Sequence, residues 1–435
     1  MFLTLLDVLR ATLRARTSAR RKTPHKRNLK ILFVLGSPNP FPGAGWTRIG
    51  FFAKHLKDRG CDVSVVGIFS LRDLKMAGFK SWKGIPLYNV IPIFFPIFWT
   101  ENIFSLAFNI FLPIILLPII LLDLRPRVVV ISLPTGEPAV GAYLASKLTR
   151  AKIVFDVRDE WEDYIIGKAT SKVFRGAYKL LKALMTSLYN KGDLVVAVTE
   201  PIARSLRLRG VKKVKILPNG ADVNVFKPYE KNAVRRRLGL IGDEFVIVYE
   251  GVVGGYYRLD VVVRALARLD YVIRNKIRLL IVGSGDIPNI LRLAENLGLK
   301  DNVIYLGAKN DKVELAQIIS AGDVGIVPYD DNPLWKNSVP AKFYEYCACG
   351  LPVIATVRDD SLLEGLVEKH QIGVTSQPLD EEKLADTIHW LYENKFFRER
   401  AGKRARAFIE EKFDRNKIAE EFLRLVEGCV NVGRK

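Results

Sequence analysis

The chain has 435 residues, 49% of them apolar and 26% charged, with a formal net charge of +21. That length suits two domains better than one, and the apolar share is enough for a sizeable core in each. Four cysteines in so long a chain suggest a reducing compartment. Cys347 and Cys349 stand one residue apart without two further partners nearby, which is not a zinc spacing. The surplus of positive charge asks for an anionic partner, nucleic acid or a membrane surface.

Residues 1–30 hold nine Lys or Arg against one Asp, and the apolar side chains Phe2, Leu3, Leu5, Leu6, Leu9 and Leu13 precede the basic run. This is the composition of an interfacial anchor or of an unstructured basic tail. A secretory signal would carry its charges first and end on a small-residue cleavage site. No aromatic residue lies between Arg14 and Lys30, which argues against stacking on single-stranded nucleic acid.

From residue 29, short β-branched runs alternate with helical stretches, the pattern of doubly wound parallel sheets. Strands are expected at 30–35, 62–68, 128–132, 152–156, 194–198 and 214–217, with helices at 48–59, 139–148 and 177–190. Residues 102–122 carry no charge, and as a helix they would extend about 31 Å, close to the hydrocarbon thickness of a bilayer. A single crossing would put the strands on either side of this segment across the membrane from each other. The stretch 91–99 is too short for a second span and is interrupted by Pro92 and Pro96. The segment is therefore expected either to be buried in the core or to lie in the membrane interface, kinked by Pro113 and Pro118. In the second half, strands are expected at 245–249, 278–282, 303–306, 324–328, 352–355 and 373–375, and helices at 396–412 and 416–430. The divisions follow: a tail at 1–28, a first domain at 29–225, a second at 226–415, and a last helix at 416–435.

The richest motif is VPAKFYEYCACGLPVIAT at 339–356. It reads as a helix with one buried face (Phe343, Tyr346, Cys347), stopped at Gly350 and followed by an apolar strand. Lys342 and Glu345, three apart, share a side of that helix. A surface ion pair is one reading. A nucleotide site at the mouth of a parallel sheet is the other. Gly43-Ala44-Gly45 precedes a helix, LPNGAD occupies 217–222, IVGSGD 281–286, NVIYLG 302–307 and GLPVI 350–354. In this order, from about residue 30 to about 415, these motifs resemble glycosyltransferase family 4, the retaining glycosyltransferases group 1, and in particular its transferases of lipid-linked aminosugars.

The resemblance implies a GT-B fold, α/β with two facing Rossmann-like domains and a cleft between them, the last helix crossing back to the first domain. It implies a nucleotide-sugar donor, a UDP-sugar, bound by the second domain, with Glu345 accepting hydrogen bonds from the ribose hydroxyls. Gly43, Gly45, Gly254, Gly255 and Gly283 would bring backbone amides close to the donor. The first glutamate of the family's Glu-x7-Glu pattern is Asn337 here. The family's glycine loop with an Arg and a Lys reads Gly251 to Arg258 here, with Val252 in place of the Arg and Tyr257 just before its one cation, Arg258. The diphosphate is then left to Arg258, Lys342 and the amides of Gly254 and Gly255. After the strand at 152–156, Arg158 and Asp159 stand where the family places a His-Asp pair against the donor sugar; an internal ion pair is the alternative. Glu137 and Trp161 are acceptor-side candidates.

Neither a metal nor any other cofactor is expected, and no nucleophile is named: retention would come from positioning and charge stabilisation. The implied activity is transfer of a hexosyl or N-acetylaminosugar to a lipid-linked or cell-envelope glycan, with the protein peripheral to the cytoplasmic face of an anionic membrane. Rival readings are a GT-B-like scaffold that has lost turnover, favoured by the missing cation pair, and a nucleic-acid binder, which explains the charge alone. A sugar-nucleotide epimerase would need acid–base carboxylates and a histidine that the motifs lack.

Overall fold

The computed structural model describes residues 29–36, 44–70, 77–93, 102–132, 136–240 and 242–431. The basic segment 1–28 and Gly43 lie outside the described residues. The chain divides into two compact units, one ending at Pro218 and resuming at Ala419, the other running from Asn219 to Ile418.

The first unit is built on an eight-stranded sheet ordered β3-β4-β2-β1-β5-β6-β7-β8. Its strands are β1 (Lys30–Leu35), β2 (Asp62–Ser70), β3 (Gly78–Trp82), β4 (Ile85–Ile93), β5 (Val128–Ser132), β6 (Lys152–Val157), β7 (Leu194–Ala197) and β8 (Val214–Ile216). All neighbours pair in parallel except β3 with β4. Sequence reading misses that hairpin because Pro86 and Pro92 interrupt β4, and proline within an apolar run argues against a strand. Its two-residue turn places Lys83 and Gly84 at φ 49° and 72°, the left-handed pair that a tight hairpin requires. From β1 the strand order runs one way through β2 and the other way from β5. The sheet therefore has its switch point between β1 and β5, and a crevice opens beyond their carboxyl ends.

The uncharged segment forms the Ile103–Leu124 helix, capped by the Asn102 side chain, which accepts from the amides of Phe104 and Ser105. β4 before it and β5 after it lie in one sheet, so one crossing of a bilayer is incompatible with the fold. Half of the helix is core: Leu106, Leu112, Leu116, Leu117, Ile120 and Leu121 are buried. The Glu137–Leu148 helix packs so closely on it that a Cβ at Gly141 would come within 2.4 Å of the Pro113 carbonyl carbon. Its outer face is apolar too: Phe104 and Phe111 are 83% and 65% exposed, and Ile115, Ile119 and Leu122 continue the stripe.

The second unit carries six parallel strands ordered β11-β10-β9-β12-β13-β14. They are β9 (Phe245–Val253), β10 (Ile277–Gly285), β11 (Val303–Tyr305), β12 (Val324–Pro328), β13 (Val353–Thr356) and β14 (Gly373–Ser376). The switch point falls between β9 and β12. The break between the units comes at 218/219, earlier than the expected 225/226, for a local reason. The Ala221 amide donates to the Phe413 carbonyl (3.1 Å), and the Arg415 amide donates to the Ala221 carbonyl (2.9 Å), which ties the start of this unit to its end. A Cβ at Gly220 would lie 2.1 Å from the Phe413 oxygen, so this glycine of LPNGAD is there for close approach. The last helix, Arg415–Asn431, starts in this unit and from Ala419 belongs to the first, where Phe422 stacks on Phe52 at 4.8 Å.

Candidate active site

At the switch point of the second unit the two longest strands overrun their neighbours. Gly283 pairs with Gly251 and Gly285 with Val253. A Cβ on Gly283, at φ 153°, would sit 1.8 Å from the Gly251 oxygen, so only glycine lets these strand ends lie together. Gly254 and Gly255 follow at φ 94° and 65° and turn the chain back, and Tyr257 bridges to Tyr329 beyond β12.

The Ala341–Ala348 helix runs beneath this mouth. It begins after Pro340 and is stopped by a left-handed Gly350 at φ 78°, where the Gly350 and Leu351 amides donate to the carbonyls of Cys347 and Tyr346. The expected one-sided helix is corrected here: every residue from Lys342 to Ala348 is buried. It contacts β12, β13 and the Lys395–Lys412 helix, and a helix enclosed on several sides keeps no polar face. Arg406 on the latter helix donates to the carbonyls of Ala348 and Phe226 at 2.6 and 2.7 Å and holds the helix end in place.

Lys342 and Glu345 are consequently not a surface ion pair. They are 4% and 2% exposed, and Lys342 Nζ and Glu345 Oε1 have no hydrogen-bond partner among the described residues. The ammonium rests instead on aromatic faces, 3.4 Å from the centre of the Tyr257 ring and 4.0 Å from that of Tyr249. Tyr257 stacks on Tyr329 (5.3 Å, 12°), which stacks on Trp335 (5.1 Å, 4°). Arg415 Nη2 reaches within 4.0 Å of Glu345 Oε1. Burial lowers the Lys342 ammonium from its ordinary value, against the pull of Glu250 and Glu345. Burial raises Glu250, with the Glu345 charge adding to it. Arg258 is occupied: its guanidinium donates to both oxygens of Asp260 at 2.9 and 2.7 Å. Asn337 ends the short Pro333–Asn337 turn of helix before the Ala341–Ala348 helix and stays partly exposed.

In the first unit, residues beyond β5 and β6 gather at the switch point around Asp156, a residue that sequence reading assigns to the strand. Arg48 donates to Asp156 Oδ1 from Nε (3.2 Å) and Nη2 (3.0 Å), and Ser132 Oγ donates to Oδ2 (2.7 Å). Arg48 also donates to the carbonyls of Pro218 and Leu217 at 2.7 and 2.8 Å. Arg158 and Asp159 follow β6 as expected, half-buried, and Arg158 Nε has no partner among the described residues. Burial lowers the Arg158 guanidinium, opposed by Asp156 and Asp159. Trp161 opens the Trp161–Lys168 helix and packs edge-on against Tyr164 at 5.4 Å. Gly45 lies in the Ala44–Asp58 helix.

The acceptor-side reading of Glu137 is corrected by its burial. It has no exposed surface and accepts the Tyr178 hydroxyl, because the Glu137–Leu148 helix turns its first residue into the core. Glu162 and Asp159 line a small cavity with Asp156, Gly136, Met185 and Tyr189. Burial pushes Glu162 up to about 7 from 4.5, with Glu137 and Glu160 adding and Arg209 opposing. The folded state therefore holds a proton that the unfolded chain has lost, and stability falls as pH rises between these values. Glu162→Gln is expected to raise the melting temperature at about pH 8, by up to about 3 kcal/mol of stability, and to leave it unchanged near pH 5. Equal shifts at both pH values would show that the charge is not the cause.

Among the described residues no three His, Cys, Asp or Glu side chains converge as metal ligands. Cys61, Cys347 and Cys349 are free and buried.

Two sequence profiles cover most of the chain. Residues 47–225 match "Glycosyltransferase Family 4" and residues 230–408 match "Glycosyl transferases group 1". The chain belongs to glycosyltransferase family 4 and has the GT-B fold. It is similar to the D-inositol 3-phosphate glycosyltransferase of Stackebrandtia nassauensis, with 37% identity over 33% of each chain. It is also similar to that of Mycobacterium bovis, with 28% identity over 44% of this chain and 41% of the relative. The match thus spans only a third to two-fifths of these relatives' lengths. Among solved structures, Anabaena Alr3699/HepE in complex with UDP superposes with a TM-score of 0.66 at 18% identity, over 92% of this chain and all of that one. WaaG, a glycosyltransferase involved in lipopolysaccharide biosynthesis, gives 0.69 at 17% identity over 92% and 100%. At these identities the likeness speaks for the fold.

Proposed function

We propose that the chain transfers a sugar from a UDP-sugar to a lipid-linked or cell-envelope glycan acceptor, with retention of anomeric configuration and without a metal cofactor. The observation that carries this reading is the buried Glu345 at the β9/β12 switch point, with an oxygen left without a hydrogen-bond donor among the described residues. A carboxylate in that position suits the two hydroxyls of a ribose. The glycine turns at 251, 254, 255 and 283 leave room for a ligand backbone. Support for the donor class comes from neighbours of the same fold with UDP and with UDP and glucose. On this reading Lys342 supplies positive charge, and Arg158 and Asp159 are the catalytic candidates of the first unit.

Calorimetric titration with UDP, GDP and their common sugar conjugates tests the proposal. Micromolar binding of a uridine nucleotide is expected, weakened about 10- to 100-fold by Glu345→Ala, the loss of a charged hydrogen-bond acceptor. A folded protein that binds no nucleotide would instead support the scaffold reading that Val252 suggests.

The protein is further proposed to work on the cytoplasmic face of an anionic membrane. The exposed stripe of Phe104, Phe111, Ile115, Ile119 and Leu122 is continued by Leu144 and Leu148 on the adjoining Glu137–Leu148 helix. Lys147 on that helix and Arg150 just past it are exposed, and so are Lys172, Val173, Lys179 and Leu180 on the Lys172–Lys191 helix, which packs on the Glu137–Leu148 helix. Apolar side chains bordered by cations match the interface of a bilayer with acidic headgroups.

A further inference from the structure

Lys342 brings a charge to the mouth of β9 and β12 and makes no hydrogen bond with it: Nζ is buried and unpartnered among the described residues. A buried ammonium with its N–H donors unspent costs free energy until an acceptor arrives. What the chain supplies instead is two ring faces, Tyr257 at 3.4 Å and Tyr249 at 4.0 Å from Nζ to the ring centre. A ring face attracts a cation but brings no opposite charge to cancel it.

Both rings are fixed. Tyr249 is buried, and its hydroxyl donates to the Val252 carbonyl. Tyr257 closes the glycine turn, bridged to Gly254 on one side and to Tyr329 on the other. Its ring stacks on Tyr329 and that of Tyr329 on Trp335, whose indole Nε1 donates to Asp330. The backbone is tied to the same segment: the Arg258 amide donates to the Pro328 carbonyl at 2.7 Å, and the Asp330 amide to the Tyr256 carbonyl at 2.9 Å. A ring locked by stacking and by its own backbone locks the ammonium that rests on it.

The ammonium also borders open space. A Cβ at Gly251, φ 117°, would lie 3.3 Å from Lys342 Nζ and 3.5 Å from Cε, and within 4 Å of no other atom among the described residues beyond its chain neighbours. At Gly255 a Cβ would meet nothing at all within that distance. Resting on the donor reading above, we propose that Tyr257 is a positioning residue, whose ring holds the Lys342 ammonium at Gly251 for the diphosphate of a nucleoside-diphosphate ligand. Phosphate oxygens then accept the hydrogen bonds that the protein leaves unmade. Arg258, the nearest cation in the chain, is already engaged by Asp260.

The test is calorimetry at neutral pH with UDP, uridine and inorganic pyrophosphate, on the wild type, Tyr257→Phe, Tyr257→Leu and Lys342→Met. Tyr257→Leu should weaken UDP and pyrophosphate about tenfold, the loss of a desolvated cation–π contact, and leave uridine unchanged. Tyr257→Phe keeps the ring and should stay within about twofold of the wild type. Lys342→Met should weaken both phosphate ligands about 30-fold or more. Adding Tyr257→Leu to it should cost nothing further, because the ring acts through the ammonium. Successively fluorinated phenylalanines at position 257 keep the ring's shape while weakening its face, so they should weaken the phosphate ligands step by step even if Tyr257→Leu fails to fold. The proposal is overturned if Tyr257→Leu and the fluorinated rings leave both phosphate ligands unchanged, if uridine shifts equally, or if the losses of Tyr257→Leu and Lys342→Met add. In the first of these cases, UDP binding by the wild type would still uphold the donor reading. If pyrophosphate binds and responds as described while UDP and uridine fail to bind, the nucleotide reading fails and the positioning role stands. Failure of all three ligands removes both.

Discussion

Arg48→Met is expected to cost the first unit about 3–5 kcal/mol, the usual consequence of leaving one partner of a buried ion pair alone. Arg48 and Asp156 are both nearly inaccessible, at 4% and 3%. The guanidinium makes two bonds to the carboxylate and two to the carbonyls of Leu217 and Pro218. Methionine fills similar volume but leaves Asp156, among the described residues, with the Ser132 hydroxyl as its remaining side-chain hydrogen bond, and leaves two carbonyls unpaired. Urea unfolding should show the first unit's transition at lower denaturant, with nucleotide affinity of the second unit retained. The double variant Arg48→Met/Asp156→Asn should recover part of the loss, because the stranded charge is removed. A loss below about 1 kcal/mol in the single variant would mean that water replaces the guanidinium, and the pair would not be structural.

The second large effect concerns the apolar face. Phe104→Ser, Phe111→Ser and Ile115→Ser together should reduce binding to vesicles of acidic phospholipid by about 100-fold or more. Each side chain is worth on the order of 1.5–3 kcal/mol if fully removed from water, and interfacial insertion realises part of that. The three side chains project from the outer face of the Ile103–Leu124 helix, while Leu112, Leu116 and Leu121 hold its inner face in the core. Melting temperature should therefore hardly change. High salt should weaken the wild type as well, since the bordering lysines and arginines contribute about 1 kcal/mol each near such a surface. Sedimentation with vesicles that is indifferent to the triple variant would refute the membrane proposal.

Much of this architecture is legible in the sequence because strand ends and glycine turns obey local rules. The alternation of strands and helices and the helix stop at Gly350 are properties of a few adjacent residues. What escapes is set by residues distant in the chain. Arg48 looks like one basic residue among many until Asp156, 108 positions later, accepts its bonds. Lys342 and Glu345 are recognisable as a pair, but not their burial, because the Lys395–Lys412 helix that helps to enclose them carries no mark of its destination. The β3–β4 hairpin is hidden by prolines, which this end of the sheet tolerates.

The division at Pro218 and Ala419 has a consequence for how the protein is made. The second unit is an uninterrupted stretch and can close as soon as it leaves the ribosome. The first is not: its sheet is synthesised early, yet Phe422, which packs on Phe33 and Phe52 at 6.2 and 4.8 Å, arrives only after the whole second unit. Until then that aromatic surface has no cover, and the earlier-born half waits on the later-born one, the reverse of simple sequential folding. A stop codon just after the second unit would spare every motif, yet would leave the first unit permanently open.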